Sequence, residues 1–199
     1  MTGHPDKLSQ AELRSIGEFL ADAADEFADH GCNDFSCAPT PENKAVFTNI
    51  IEWQAGEDWG DPDPEYLNSL EKAYAENEEI VSFDNWAMGY LAQRCKALAQ
   101  DASGSPGLSA AELRMMAALL DLVIEFREMD RDDHDITVDY TLSATDENKL
   151  FLASVIKHEG LADSERMVAD VRQSDDEIAV PDYWIMRYFS DRCKKLAAE

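Results

Sequence analysis

The sequence predicts an all-α fold, formed by tandem duplication of a four-helix unit. The segment that follows Asp84 recurs after Asp182, with Trp, Met, Tyr, Arg, Cys and Lys in the same order and spacing. The apolar residues of both segments repeat with the period of a helix, whereas no stretch alternates like a long strand. Both copies also open with nearly the same helix start, LSQAELR at Leu8 and LSAAELR at Leu108.

The opening helix of each copy begins at a capping box. Ser9 with Glu12, and Ser109 with Glu112, have the Ser-x-x-Glu spacing in which each side chain binds a backbone N–H group of the other residue. The apolar residues that follow fall on one helical face. Gly31 stands where a left-handed cap is expected, so the first helix is predicted to end near His30.

The second and third helices are predicted from their start and stop signals. In the first copy, Thr40 and the proline after it provide an N-cap and a first helical residue, and the helix ends near Gly56. The matching helix ends near Gly160. The third helix begins near Pro64, and its counterpart spans about residues 162–174. Each copy then closes with the repeated aromatic helix.

The two copies are predicted to span residues 1–101 and 108–199. Residues 102–107 have the Gly, Ser and Pro composition of a linker. The short linker and the aromatic closing helices favour packing of the copies about an approximate two-fold axis. Separate folding is the alternative, since each copy is long enough for a modest core of its own.

The chain is strongly acidic, with 42 acidic and 17 basic residues and a net charge of −25. Such a field attracts a basic protein partner and repels nucleic acid and anionic lipid, although acidity also serves solubility alone. The N-terminus lacks a signal-peptide pattern, and no apolar stretch has the length of a membrane span. We therefore expect a cytoplasmic protein, with its four cysteines reduced and without direct nucleic-acid or membrane binding.

Two arginines lie near the middle of apolar helix faces, where an unpaired charge is costly. These are Arg94 and Arg192. Acidic residues that recur in both copies are the candidate partners: Asp34 with Asp139, Glu12 with Glu112, and Glu42 with Glu147. We predict structural ion pairs of Arg94 with Asp34 and of Arg192 with Asp139, because a loop carboxylate can bind a guanidinium bidentately. Binding of a substrate anion by the arginines is the alternative.

One loop places four potential metal ligands within eight residues: His30, Cys32, Asp34 and Cys37. Zinc binds imidazole and thiolate together, so these residue types are suitable. However, the loop has no CxxC spacing and the second copy has no cysteine there, so we predict no metal and no cofactor. The alternatives are a metal site at these four residues, a catalytic cysteine beside His30, and a purely structural loop.

The same loop lies within a segment, ADHGCNDF, that follows an amphipathic helix. This segment resembles part of a group of uncharacterised bacterial and phage proteins. The resemblance covers Phe19 to Phe35, with weaker similarity from Ile124 to Tyr140. It implies a bacterial or phage source and no particular activity.

The leading interpretation is a non-enzymatic acidic interaction protein, of the inhibitor, immunity or DNA-mimic type, that binds a basic partner. The sequence lacks the phosphate-loop, metalloprotease and hydrolase signatures. The candidate partner-binding residues form two acidic clusters: Asp22, Asp25, Glu26 and Asp29, and Glu57, Asp58, Asp61, Asp63 and Glu65. The alternatives are a metal protein or enzyme centred on the His30 to Cys37 loop, and a structural or oligomeric module of unknown stoichiometry.

Overall fold

The computed structural model describes residues 7–30, 34–56, 64–101, 107–134 and 139–199. It is mostly helical, as predicted. The helices in the described part of the chain are α1 (Gln10–His30), α2 (Pro41–Gly56), α3 (Pro64–Glu76), α4 (Asp84–Gln100), α5 (Ala110–His134), α6 (Asp146–Glu159), α7 (Ser164–Gln173) and α8 (Asp182–Ala198).

Two short antiparallel strand pairs correct the all-α prediction. The strands are β1 (Asp34–Cys37), β2 (Ile80–Phe83), β3 (Asp139–Ser143) and β4 (Glu177–Pro181). β1 pairs with β2 and β3 with β4, and the register places Asp34 opposite Phe83 and Asp139 opposite Pro181. Segments of four or five residues are too short for alternation to stand out from loop sequence, so the strands were missed.

Contacts along the chain divide it into two compact units. The central unit is Leu13–Met116, and the terminal unit combines the residues up to Glu12 with Ala117–Glu199. Helices α1 and α5 therefore each begin in one unit and continue in the other. The predicted copies, residues 1–101 and 108–199, were defined by sequence similarity and stay a prediction. The two compact units have different boundaries, because they divide within α1 and α5.

The core of the central unit lies between helices and a strand pair. α2 packs against α4, and β2 contacts both α2 and α4. Leu20 of α1, Phe47 of α2 and Ile80 of β2 have no exposed surface. The ring of Phe35, on β1, stacks on that of Phe47 with 6.5 Å between centroids. Full burial of one such side chain stabilises the fold by about 2 kcal/mol, so this apolar contact helps to hold β1 against α2.

The terminal unit has a core of the same kind. α6 packs against α7 and α8, and the rings of Phe151 and Phe189 stack with centroids 5.3 Å apart. The Thr145 side chain caps α6 by accepting a hydrogen bond from a backbone N–H. Gly160 ends the same helix with a φ of 64°, a left-handed conformation that favours glycine. The predicted end of this helix near Gly160 is therefore confirmed.

Candidate functional site

The guanidinium of Arg94 binds a glutamate and not the predicted Asp34. Its Nε lies 3.1 Å from Oε1 of Glu112. The same carboxylate oxygen accepts a hydrogen bond from the Tyr90 hydroxyl at 3.1 Å. The other oxygen accepts from the backbone N–H of Ser109 at 2.7 Å, which closes the predicted capping box. One buried carboxylate thus caps α5 and neutralises the arginine.

The terminal unit contains the same combination of residues. The Tyr188 hydroxyl donates to Oε1 of Glu12 at 2.7 Å, and Nε of Arg192 lies 3.6 Å from that oxygen. The Arg192 guanidinium also donates to the backbone carbonyl of Lys7 at 3.1 Å. Asp139, the partner predicted for this arginine, is exposed on β3. In each unit a glutamate from a capping box takes the place expected for a loop aspartate.

The predicted aspartates were wrong because their loop is partly a strand. Asp34 and Asp139 each begin a strand and are exposed. Successive side chains of a strand point to opposite faces, so burial of Phe35 turns its neighbour Asp34 towards solvent. The signal that would have found Glu12 and Glu112 was their position between buried apolar residues at a helix start, where a carboxylate faces the core.

Hydrogen bonds and charge stabilise the ionised forms of both Arg94 and Glu112. Burial favours the neutral form of Glu112, but hydrogen bonds from Ser109 and Arg94 outweigh it and lower its pKa. Burial likewise opposes the charge of Arg94, but the hydrogen bond and charge of Glu112 raise its pKa. Burial, followed by the Glu112 charge, raises the pKa of Tyr90, which keeps its hydroxyl a donor. These properties favour a structural role over capture of a substrate anion.

An open groove of about 660 Å³ lies among α1, α2, β2 and α4 in the central unit. Several of its lining residues are small. The groove is lined by Ala21, Ala24, Asp25, Ala28, Trp53, Gln54, Phe83, Asn85, Trp86, Gly89, Ala92, Gln93 and Lys96. A Cβ at Gly89 would lie 2.4 Å from Cη2 of Trp53, so glycine is needed there for the indole to rest against α4.

Aromatic and polar groups meet in this α1/α4 groove. The rings of Phe83 and Trp86 are in edge-to-face contact, with centroids 4.9 Å apart, and Phe83 is 39% exposed. Asp25 and Lys96 are both exposed. Nε1 of Trp53 and Oδ1 of Asn85 are buried and have no hydrogen-bond partner among the described residues. A buried polar group without a partner costs about 1–3 kcal/mol, so a partner that reached these atoms would recover that cost.

The matching positions of the terminal unit carry larger side chains that bind one another. The repeated helix pattern aligns Gly89 with Arg187 and Asn85 with Tyr183. The guanidinium of Arg187 lies over the Tyr183 ring, 5.0 Å from its centroid, and 3.7 Å from Oε2 of Glu159. The terminal unit therefore places an arginine where the central unit has a glycine.

Two further pairs of aligned residues also have the smaller side chain in the central unit. Asp121, which aligns with Ala21, accepts a hydrogen bond from the Ser190 hydroxyl at 2.5 Å. Its other oxygen lies 2.8 Å from Nζ of Lys194. Ser190 in turn aligns with Ala92. The polar network of the terminal unit is thus replaced by alanines in the groove of the central unit.

The acidic residues predicted to bind a partner fall into three groups. Asp22, Asp25 and Asp29 are exposed along one face of α1, and Asp25 also lines the groove. Glu26 is half-buried, and Glu65 is exposed at the start of α3. The remaining residues lie outside the described part of the chain: Glu57, Asp58, Asp61 and Asp63. Among the candidate residues that the structure describes, the aspartates of α1 lie together, and one of them, Asp25, also lines the groove.

Only part of the candidate metal loop is described. Cys32 and the side chain of His30 lie outside the described residues, Asp34 is exposed, and Cys37 is half-buried. Within the part that is described, no three His, Cys, Asp or Glu side chains are grouped as a metal site requires. Burial raises the pKa of the Cys37 thiol to about 11. This disfavours Cys37 as a nucleophile, which must be a thiolate.

Comparisons of the chain with protein-family models, with curated proteins and with solved structures found no match. The resemblance of the ADHGCNDF segment to bacterial and phage proteins therefore stays a prediction. Among the helices in the described ranges, none has the length and apolarity needed to span a lipid bilayer.

Proposed function

We propose that the protein is an acidic interaction protein, of the inhibitor, immunity or DNA-mimic type, which binds a basic partner protein in the cytoplasm. Its contact surface is the exposed acidic face of α1 together with the α1/α4 groove. The observation that supports this most strongly is the position of Asp25, which belongs to both the acidic face and the groove lining. Protein interfaces combine aromatic anchors in a pocket with a polar rim in this way.

The α1 carboxylates favour a cationic partner on electrostatic grounds. Asp22, Asp25 and Asp29 are exposed at helical spacing. Like charges at this spacing each destabilise a helix by a few tenths of a kcal/mol. A basic partner would remove this repulsion and would be drawn to a chain of charge −25 from a distance.

A tandem duplication belongs to the same proposal. The order helix, strand, helix, helix, strand, helix occurs twice, and the two strand ladders begin at corresponding residues. The Glu–Tyr–Arg network also occurs in both units. Because the copies differ at the groove, we propose that partner binding belongs to the central unit. The pseudo-two-fold packing expected from the sequence stays a prediction.

The proposal is tested by capturing partners with the full-length chain from its native cell, identifying them, and measuring the affinity of the purified partner by calorimetry. We expect a basic protein whose affinity falls at least about tenfold between about 0.05 M and about 0.5 M salt, since exposed charges are screened by salt. An affinity that does not change with salt would contradict electrostatic capture.

Matched charge variants locate the contact surface. The first replaces Asp22, Asp25 and Asp29 by asparagine. The control replaces Asp175 and Asp176 by asparagine and Glu177 by glutamine, which are also exposed and remove the same charge. We expect the α1 variant to weaken binding about tenfold and the control by less than about threefold. Equal losses would place the contact elsewhere.

A further inference from the structure

We propose that the α1/α4 groove of the central unit binds an arginine side chain of the partner. This inference rests on the proposed function and specifies what the acidic protein recognises. It depends on three observations: how the terminal unit fills the matching positions, which side chains line the groove, and which polar groups there lack partners.

The terminal unit has an arginine of its own at the position that matches Gly89. Arg187 aligns with Gly89 of the groove, and its guanidinium lies over the Tyr183 ring and beside Glu159. The central unit has Asn85 and Gln54 at the positions of Tyr183 and Glu159. The central unit thus lacks this arginine, whose side chain is 43% exposed in the terminal unit, and has an open groove in this region, which an arginine from another protein can enter.

The groove lining suits a guanidinium. Phe83 and Trp86 present aromatic surface, on which a planar guanidinium stacks better than a lysine ammonium does. Asp25 places an exposed carboxylate at the same groove. A cation between these rings and the carboxylate gains both attractions while its methylene stem packs on the alanines of α1.

The two unpartnered groups match an arginine residue within a peptide. Oδ1 of Asn85 is an acceptor and Nε1 of Trp53 is a donor. A guanidinium supplies donors only, and the peptide backbone beside it supplies a carbonyl acceptor. Both atoms are covered in the free protein, so a side-chain rotation at Asn85 and Trp53 must accompany binding. Such rotamer changes are common at interfaces.

Lys96 opposes this attraction because it carries a positive charge at the same groove. Its side chain is exposed and flexible, so it can move towards solvent when a second cation enters. Replacement of Lys96 by glutamine should strengthen arginine binding by about threefold, since it removes one like-charge contact at an exposed site.

The test uses the full-length chain and three capped pentapeptides that differ only at the central residue: Gly-Gly-Arg-Gly-Gly, the lysine peptide and the citrulline peptide. Binding is followed by the NMR signals of the tryptophan indole N–H groups. We expect the arginine peptide to shift the signals of Trp53 and Trp86 but not that of Trp184, which is buried in the terminal unit. The neutral citrulline peptide should bind about tenfold more weakly.

Three variants separate groove binding from general charge attraction. Ala24→Ile fills the groove with the residue that the terminal unit carries at the matching position, Ile124. Ala97→Ile is the control, because it adds the same volume at an exposed position of α4 outside the groove. We expect about a tenfold loss for the first and no change beyond about twofold for the second. Asp25→Asn, which changes an exposed residue, should weaken binding about threefold.

Several results would overturn the inference. They are equal binding of the arginine and citrulline peptides, unshifted signals of Trp53 and Trp86, or an Ala24→Ile variant that binds the arginine peptide normally. If one of these occurs while the captured partner still shows salt-dependent binding, the arginine site is wrong and the proposed function stands. If the partner shows no such salt dependence, the proposed function fails as well.

Discussion

Replacement of Glu112 by glutamine is expected to reduce the free energy of unfolding of the central unit by about 2 kcal/mol. Glutamine keeps a carbonyl oxygen for the capping box but loses the charge that faces Arg94. Hydrogen bonds to charged groups contribute about 1.5–3 kcal/mol. The Glu112 side chain is 7% exposed and that of Arg94 is 36% exposed, so solvent screening of the arginine limits the loss to the lower part of this range.

The assay is a double-mutant cycle with Arg94→Met, Glu112→Gln and the double variant, measured by urea unfolding of the full chain. We expect a coupling energy of about 1–2 kcal/mol between the two residues. Lys72 and Glu76 form the control pair, because they are exposed on α3 and 3.9 Å apart. Their coupling should be below about 0.5 kcal/mol.

Substitutions at Arg94 and Glu112 that are additive within about 0.3 kcal/mol would contradict the expected coupling. Additivity would mean that the contact at 3.1 Å between Nε and Oε1 contributes nothing to stability. The network would then be a consequence of the fold and not one of its causes. The equivalent cycle at Arg192 and Glu12 tests the same claim in the terminal unit.

Three further predictions concern pH, packing and thiol reactivity. Because the pKa of Glu112 is lowered on folding, its stabilising contribution is complete above its unfolded pKa and is lost as the pH falls through the folded value. Urea melts at falling pH should show a steeper loss for the native chain than for Glu112→Gln; parallel profiles would contradict this. Gly89→Ala should lower the melting temperature, since a Cβ that would lie 2.4 Å from Trp53 costs about 1–3 kcal/mol, whereas alanine regains only about 0.5–1 kcal/mol in a helix interior; a raised melting temperature would refute the contact. The raised pKa of Cys37, about 11, predicts alkylation near neutral pH many times slower in the folded chain than in urea, as followed by mass spectrometry; equal rates would show that the thiol is not protected.

The helices were largely predictable, because each carries a start signal and an apolar face. The start of α2 after Thr40 and the end of α6 at Gly160 lie where their residues place them. The strand pairs were not predictable, since each strand is four or five residues long and its partner is distant in sequence. Short pairing of this kind is determined by tertiary contacts and not by local pattern.

The acidic partners of Arg94 and Arg192 could not be chosen from the sequence. That the arginines need acidic partners follows from their position on apolar faces, but several acids recur in both copies, and sequence spacing does not choose among them. Arg94 and Glu112 are 18 residues apart, whereas Arg192 and Glu12 are 180 apart. The units divide within α1 and α5, so Glu112 lies in the central unit with Arg94 and Glu12 lies in the terminal unit with Arg192.

The groove was missed although the sequence contained a signal for it. The two similar sequence segments agree at the residues of the Glu–Tyr–Arg network and differ at Gly89 and Arg187, at Ala21 and Asp121, and at Ala92 and Ser190. Such small-for-large differences, on both α1 and α4, are the signal of open space in the central unit. These differences indicate a groove only if the residues concerned lie on the facing sides of α1 and α4. The sequence does not show which sides face each other, whereas the structure does.

Hydrogen exchange of the full-length chain, with and without its captured partner, tests the central claim most directly. The account predicts slower exchange on binding in residues 21–28 of α1 and 83–96 of β2 and α4, around the groove, and little change in residues 177–190 of the terminal unit. Protection confined to residues 177–190, with none around the groove, would contradict it.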